Sequence, residues 1–194
     1  ACLANGLIDP EAWSNIKLIV LSGSALPPPM ARELASLLPN TTISQLWGMT
    51  ETQAGLYTRP SDSIEVSATS AGKPSPGTEV RVADANDHVV EAGTEGELQV
   101  RGCLLFPGYI NSDAANDAAF THDGWFKSGD LAVETVTGHI SITGRIKDVI
   151  NRGGVKYNPR EVEDLIDAHP AISQSAIVPM PDETLGERAC CFAV

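Results

Sequence analysis

A chain of 194 residues with 42% hydrophobic and 20% charged side chains can bury one or two real cores, which excludes a disordered polar linker. Its formal net charge of −12 sets it against nucleic acid and anionic membranes as partners. No apolar run approaches the roughly 20 residues of a membrane span, and no basic-then-apolar leader opens the chain. Cys2, Cys103, Cys190 and Cys191 show neither disulfide-framework nor metal spacing. The expected compartment is cytoplasmic.

In chain order, Pro10 to Trp13 is predicted to begin a helix, and Lys17-Leu-Ile-Val-Leu21 reads as a buried strand. Ser22-Gly-Ser-Ala-Leu-Pro27 suits a tight turn at the strand's carboxyl end. Prolines 27–29 pre-set the first turn of a helix from Met30 to Leu38. Thr42 to Trp47 is a second strand, which completes an α/β unit whose ligands gather at carboxyl strand ends. From Ser67 to about Gly144 the texture changes to glycine-cut alternating segments. Glu79 to Val82, Gly96 to Arg101 and His139 to Thr143 are period-2 strands, predicting an antiparallel barrel or sandwich. One helix, Asp113 to Phe120, interrupts it, capped by Asn111 or Ser112. Val149-Ile150 and Val155-Lys-Tyr157 flank Asn-Arg-Gly-Gly, a hairpin signal. A helix from Pro159 to Ala168 follows, and 172–179 and 189–194 read as strands. The expected fold is an α/β unit (1–66), an antiparallel β-barrel-like subdomain (67–146) and the start of a small, truncated α+β lid domain (147–194).

Four motifs carry chemistry, each with a plain structural alternative. In Trp47-Gly-Met-Thr-Glu51, the Thr50 hydroxyl can donate to a phosphate oxygen and the Glu51 carboxylate can ligate Mg²⁺, while Gly48 admits a flat ligand. Equally, Thr50 and Glu51 can cap the next element. Gly124-Trp-Phe-Lys-Ser-Gly-Asp130 ends in a carboxylate able to accept from both ribose hydroxyls, or to close a turn. In Gly144-Arg-Ile-Lys-Asp148, Arg145 can donate to a nucleotide, and Lys147 suits a hinge; a charged surface loop is the alternative. Arg152-Gly-Gly154 lets a narrow thiol-bearing chain pass the backbone, and is also a hairpin turn. Arg145, Lys147, Arg152 and Lys156 meet only Asp148, a basic island in an acidic chain, read as an anion site or a solvated hairpin. His88, His122, His139 and His169 have no metal spacing and read as structural.

In order and spacing these segments, with Ser22-Gly-Ser-Ala-Leu and Arg152-Gly-Gly-Val-Lys-Tyr-Asn-Pro-Arg-Glu-Val-Glu163, resemble consecutive core motifs of the adenylate-forming superfamily. Acyl- and aryl-CoA ligases, luciferase and peptide-synthetase adenylation domains belong to it. The resemblance covers essentially the whole chain and favours a fatty-acyl or coumarate–CoA-ligase-like enzyme of fatty acid metabolism. It implies that Ser24, Ala25 and Leu26 lie against adenine, completed by Trp47 and Gly48. Thr50 would contact the α-phosphate, Glu51 would hold Mg²⁺, and Asp130 would bind the ribose with Arg145 assisting. Lys147 falls at the hinge; Arg152, Gly153 and Gly154 border the pantetheine tunnel; Leu46 and Ala54 match the acyl pocket. The implied cofactors are ATP/AMP, Mg²⁺ and coenzyme A, and the implied partners a carboxylic acid and the missing remainder of the parent chain. The family's phosphate loop and its C-terminal lysine are not found within these residues, so the chain is expected to be an inactive fragment. The alternatives are a peptide-synthetase adenylation domain that loads a carrier protein, and a non-catalytic nucleotide-binding remnant.

Overall fold

The computed structural model describes residues 6, 8–23 and 27–194. Strand β1 (Leu18–Leu21) pairs in parallel with β2 (Thr42–Met49), in a register running from Leu18↔Thr42 to Leu21↔Gln45. Helix α1 (Pro28–Leu37) connects them. Proline fits its first turn because that turn's N–H groups have no partner within the helix. Ala31, Leu34 and Leu38 are buried, and Leu34 and Leu38 form a core with Ile43, against which Trp13, Ile19 and Leu21 pack. Among the described residues only that face of β1 is covered. Leu18 and Val20 on the other are 49% and 48% exposed, so the strand is half-buried rather than buried. The helix expected at Pro10 is a pair of isolated turns, in which Trp13 N donates to Asp9 O and Ile16 N to Trp13 O. Asp9 draws the Glu11 and Ala12 amides onto its own side chain, and the segment is too short to nucleate a helix.

After β2 the chain reverses into β3 (Gln53–Tyr57), pairs briefly with β4 (Lys73–Pro74), and gives the sheet order β1-β2-β3-β4. Between them α2 (Ile64–Thr69) starts where the Ser63 hydroxyl accepts from Val66 N, and it runs across residues 66 and 67. A second sheet follows in sequence order, all antiparallel: β5 (Thr78–Ala83), β6 (Glu95–Gly102), β7 (Phe126–Glu134) and β8 (Ile140–Arg145). Helix α3 (Asp113–Ala119) interrupts it where a helix was expected. The expected barrel is corrected here. Among the described residues β5 and β8 stand at opposite edges of this sheet and do not pair with each other, so it does not close. The first sheet covers the open one instead. Gly72 bridges to Ile140, and Leu56 and Ala71 join Val82, Leu98, Val100, Ala132 and Ile140 in one core.

A 3-10 turn (Ile146–Asp148) leads from β8 into an α+β unit of β9 (Ile150–Arg152), β10 (Val155–Tyr157), α4 (Pro159–Asp167), β11 (Ser175–Asp182) and β12 (Gly186–Ala193), in sheet order β10-β9-β12-β11. Asn158 caps α4, its Oδ1 accepting from Arg160 N at 3.1 Å, while its amide donates to the Thr143 carbonyl on β8. Gly144 makes room for that contact, since a Cβ there would overlap the Asn158 amide. The C-terminal unit is thereby stitched to the strand that ends at Arg145.

Candidate nucleotide site

Three of the motifs meet at one carboxylate. Asp130, on β7, is 4% exposed. Its Oδ2 accepts the indole N–H of Trp47 at 2.7 Å, and its Oδ1 accepts Arg145 Nε at 2.9 Å. The β7–β8 register places Arg145 directly opposite Asp130. Trp47 reaches it from β2, with its ring packed against the shared core. Gly55 sits beneath that ring, where a Cβ would stand 2.7 Å from it. Each carboxylate oxygen has used one lone-pair direction and keeps another, so two neighbouring hydroxyls fit as further donors. Beside this cluster lies a hollow of about 420 Å³ lined by Glu97, Ser128, Gly129, Arg145, Ile146 and Lys147. A second hollow, of about 440 Å³ against Asn116 and Phe120, brings no motif residues together.

Glu97 belongs to this rim, although no sequence motif pointed to it. Its Oε1 accepts Gly129 N at 3.1 Å, and burial pushes its carboxyl above the ordinary range. A group raised in the fold contributes stability below its unfolded value, which is lost as pH rises through the folded one. Glu97→Gln is therefore expected to raise the melting temperature at pH 7 by roughly 1–2 °C, with the difference gone near pH 4. Melts at the two pH values check it. An equal gain at both would show that charge is not the cause.

Thr50 and Glu51 occupy the turn between β2 and β3. Gly48 opens it, because a Cβ there would overlap the Gln53 carbonyl, and Gln53 itself is left-handed at φ 53°. Thr50 is exposed, and its carbonyl accepts Gln53 Nε2 at 2.9 Å. Glu51 Oε1 accepts the Tyr109 hydroxyl at 2.9 Å, and this bond to a carboxylate holds the Tyr109 proton, raising its pKa. Among the described residues no three His, Cys, Asp or Glu side chains gather into a metal cage. A glutamate carboxylate is a hard oxygen donor of the kind Mg²⁺ takes, one or two at a time, together with phosphate oxygens and waters.

The remaining expected residues are dispersed. Lys147 is exposed in the 3-10 turn on the rim of the hollow beside Asp130. Arg152, Gly153 and Gly154 form the β9–β10 turn in the C-terminal sheet, with φ of 61° and 93° at the two glycines, as a tight hairpin requires. Leu46 and Ala54 are half-buried on β2 and β3. Ser24, Ala25 and Leu26 lie outside the described residues. The exposed Thr50, the isolated glycine hairpin and the rim lysine touch nothing that by itself defines their roles.

Residues 3–110 match the family model described as AMP-binding enzyme, and the chain belongs to that family. It is 39% identical over 182 residues to the 2,3-dihydroxybenzoate-AMP ligase of Bacillus subtilis, covering 93% of this chain and 33% of the relative. It is 36% identical over 189 residues to the salicyl-AMP ligase / salicyl-S-ArCP synthetase of Mycobacterium tuberculosis, covering 96% of this chain and 33% of the relative. Among solved structures, the o-succinylbenzoate CoA synthetase of Bacillus subtilis in complex with its acyl-adenylate OSB-AMP superposes with a TM-score of 0.83 at 30% identity. That match covers 98% of this chain and 39% of the other. The chain thus spans about a third of the length of the curated relatives it matches. The expectation of fatty acid metabolism finds no support in these relatives, whose names are those of aromatic acid ligases. No helix among the described residues is long and apolar enough to cross a membrane.

Proposed function

We propose that this chain forms the nucleotide-holding third of a longer ATP-dependent aromatic-acid ligase, called below the full-length ligase. One observation carries the reading: a buried carboxylate, Asp130, gripped by Trp47 and Arg145 from two other motifs. In the reaction, the substrate carboxylate attacks the α-phosphorus of ATP, forming an acyl–O–P bond and breaking the bond to the β-phosphate, so pyrophosphate leaves. A thiol then attacks the acyl carbon and AMP departs. Asp130 accepts from the two ribose hydroxyls and Arg145 steadies that carboxylate, while Ser24, Ala25, Leu26, Trp47 and Gly48 border the adenine. Thr50 donates to the α-phosphate, and Glu51 supplies the protein's oxygen to Mg²⁺. Bound there, Mg²⁺ neutralises phosphate charge that would otherwise repel the incoming carboxylate. Leu46 and Ala54 face the acid.

The C-terminal unit from residue 147 acts as the lid, turning about Lys147 between the two half-reactions so that one nucleotide site serves both. Gly153 and Gly154 then flank a pantetheine thiol. Coenzyme A and a carrier protein both present that thiol, and the name of the Mycobacterium tuberculosis relative supports the carrier as a second reading. Calorimetry of AMP against this chain, and pyrophosphate exchange by the full-length ligase with aromatic and fatty acids, test the proposal. AMP binding and exchange restricted to aromatic acids are expected. No AMP binding by either protein would overturn the nucleotide reading, and exchange driven only by fatty acids would overturn the substrate class.

A further inference from the structure

We propose that Tyr109 is a positioning residue for Glu51, its hydroxyl pinning one carboxylate oxygen so that the other is presented to a divalent cation. The inference rests on the reading of Glu51 as the Mg²⁺ carboxylate. The 2.9 Å bond joins residues 58 apart in sequence, and Tyr109 is 38% exposed, so core packing alone does not account for its place. Its backbone is clamped from both sides: Tyr109 N donates to Asn116 Oδ1 at 2.7 Å, and Asn116 Nδ2 donates to the Tyr109 carbonyl at 2.9 Å. Gly108 makes the clamp possible, since a Cβ there would press on Asn116 Oδ1 at 3.0 Å.

The other end of the pair is fixed as well. Phe106 N donates to the Glu51 carbonyl at 2.8 Å. The Phe106 ring meets Tyr109 edge-on at 4.8 Å and Phe126 at 5.4 Å. Phe126 opens β7, the strand that carries Asp130. One aromatic cluster therefore ties the cation carboxylate to the strand of the ribose carboxylate. A free glutamate in a turn samples several rotamers, and a carboxylate already held in place spares that ordering at the moment of binding. Partners that orient a metal ligand typically change metal affinity by 10- to 100-fold, and the low end applies to so exposed a pair.

The test compares Tyr109→Phe, Glu51→Gln and the unaltered full-length ligase. Mn²⁺ binding in the presence of ATP is read by electron paramagnetic resonance, and pyrophosphate exchange is read across a Mg²⁺ titration. For Y109F the expected result is about tenfold weaker Mn²⁺ binding, a matching rise in half-saturating Mg²⁺, and exchange restored at saturating Mg²⁺. E51Q should lose more and not be restored. Unchanged Mn²⁺ binding in Y109F, or activity lowered equally at every Mg²⁺ concentration, would overturn the positioning role. Unchanged Mn²⁺ binding in E51Q would instead remove the metal reading of Glu51, and the inference with it. Should Y109F fail to fold, Asn116→Ala keeps the hydroxyl while freeing its backbone. A smaller rise in half-saturating Mg²⁺ would then support the role, and no rise would overturn it.

Discussion

Asp130→Ala in the full-length ligase is expected to raise the KM for ATP, and the dissociation constant for AMP, by about 10- to 100-fold. Hydrogen bonding to a charged group contributes about 1.5–3 kcal/mol, and losing that much of the carboxylate's grip on a ribose diol gives this factor. The substitution also strands the Trp47 indole N–H and the Arg145 guanidinium, which now share that carboxylate. The melting temperature should therefore fall together with affinity. Asp130→Asn separates the two effects: it keeps the volume and one acceptor, so stability should suffer less while binding still weakens. Calorimetry with AMP and thermal melts of all three proteins provide the check. Unchanged affinity in both variants would remove Asp130 from the nucleotide site.

Lys147→Pro is expected to split the two half-reactions, with one surviving and the other falling by about 100-fold, the scale of a misplaced catalytic constellation. Lys147 sits in the 3-10 turn after Arg145, which is extended at φ −120°, and before Val149 at φ −61°. Proline would lock the φ of residue 147 and push Ile146 out of the helical region towards extended backbone. A junction that must change its dihedrals would then hold a single setting. Pyrophosphate release, and thioester formation from preformed adenylate, are measured separately. Equal losses in both would mark Lys147 as a residue needed for folding and not for rotation.

The sequence made legible whatever has a local cause. α1 follows from its prolines and apolar spacing, β5, β6 and β8 from period-2 alternation, and the β9–β10 turn from paired glycines. β3, α2 and β7 were not legible as elements. β3 has five residues and α2 six, too few for a period to declare itself. β7 carries Ser128-Gly129-Asp130 with φ 74° at the glycine, and a register shift at Leu131/Ala132 breaks its alternation. The barrel was over-read because alternation identifies a strand's faces and says nothing of which edges pair. In the site, Trp47, Asp130 and Arg145 were each singled out, yet the bond from Trp47 to Asp130 was not readable because it depends on two sheets docking, and the pairing of Arg145 with Asp130 depends on the β7–β8 register. Glu97 and Tyr109 were missed because their partners, Gly129 and Glu51, lie 32 and 58 positions away.

The Trp47–Asp130 bond spans 83 residues, and this separation orders events in time. Helices and hairpins such as α3 and β9–β10 close short loops and form early, whereas a contact of such span must wait until its chain entropy is offset by the sheets already assembled. On the ribosome, Trp47 would emerge long before its acceptor exists, leaving an indole to wait on an unfinished core. On the nucleotide reading proposed for Asp130, a chain that had all its strands and helices but undocked sheets would give the far-ultraviolet spectrum of the native protein and still be blind to AMP. Nucleotide affinity is then a more demanding measure of a finished fold than secondary structure content, and refolding followed by both signals should show affinity returning last.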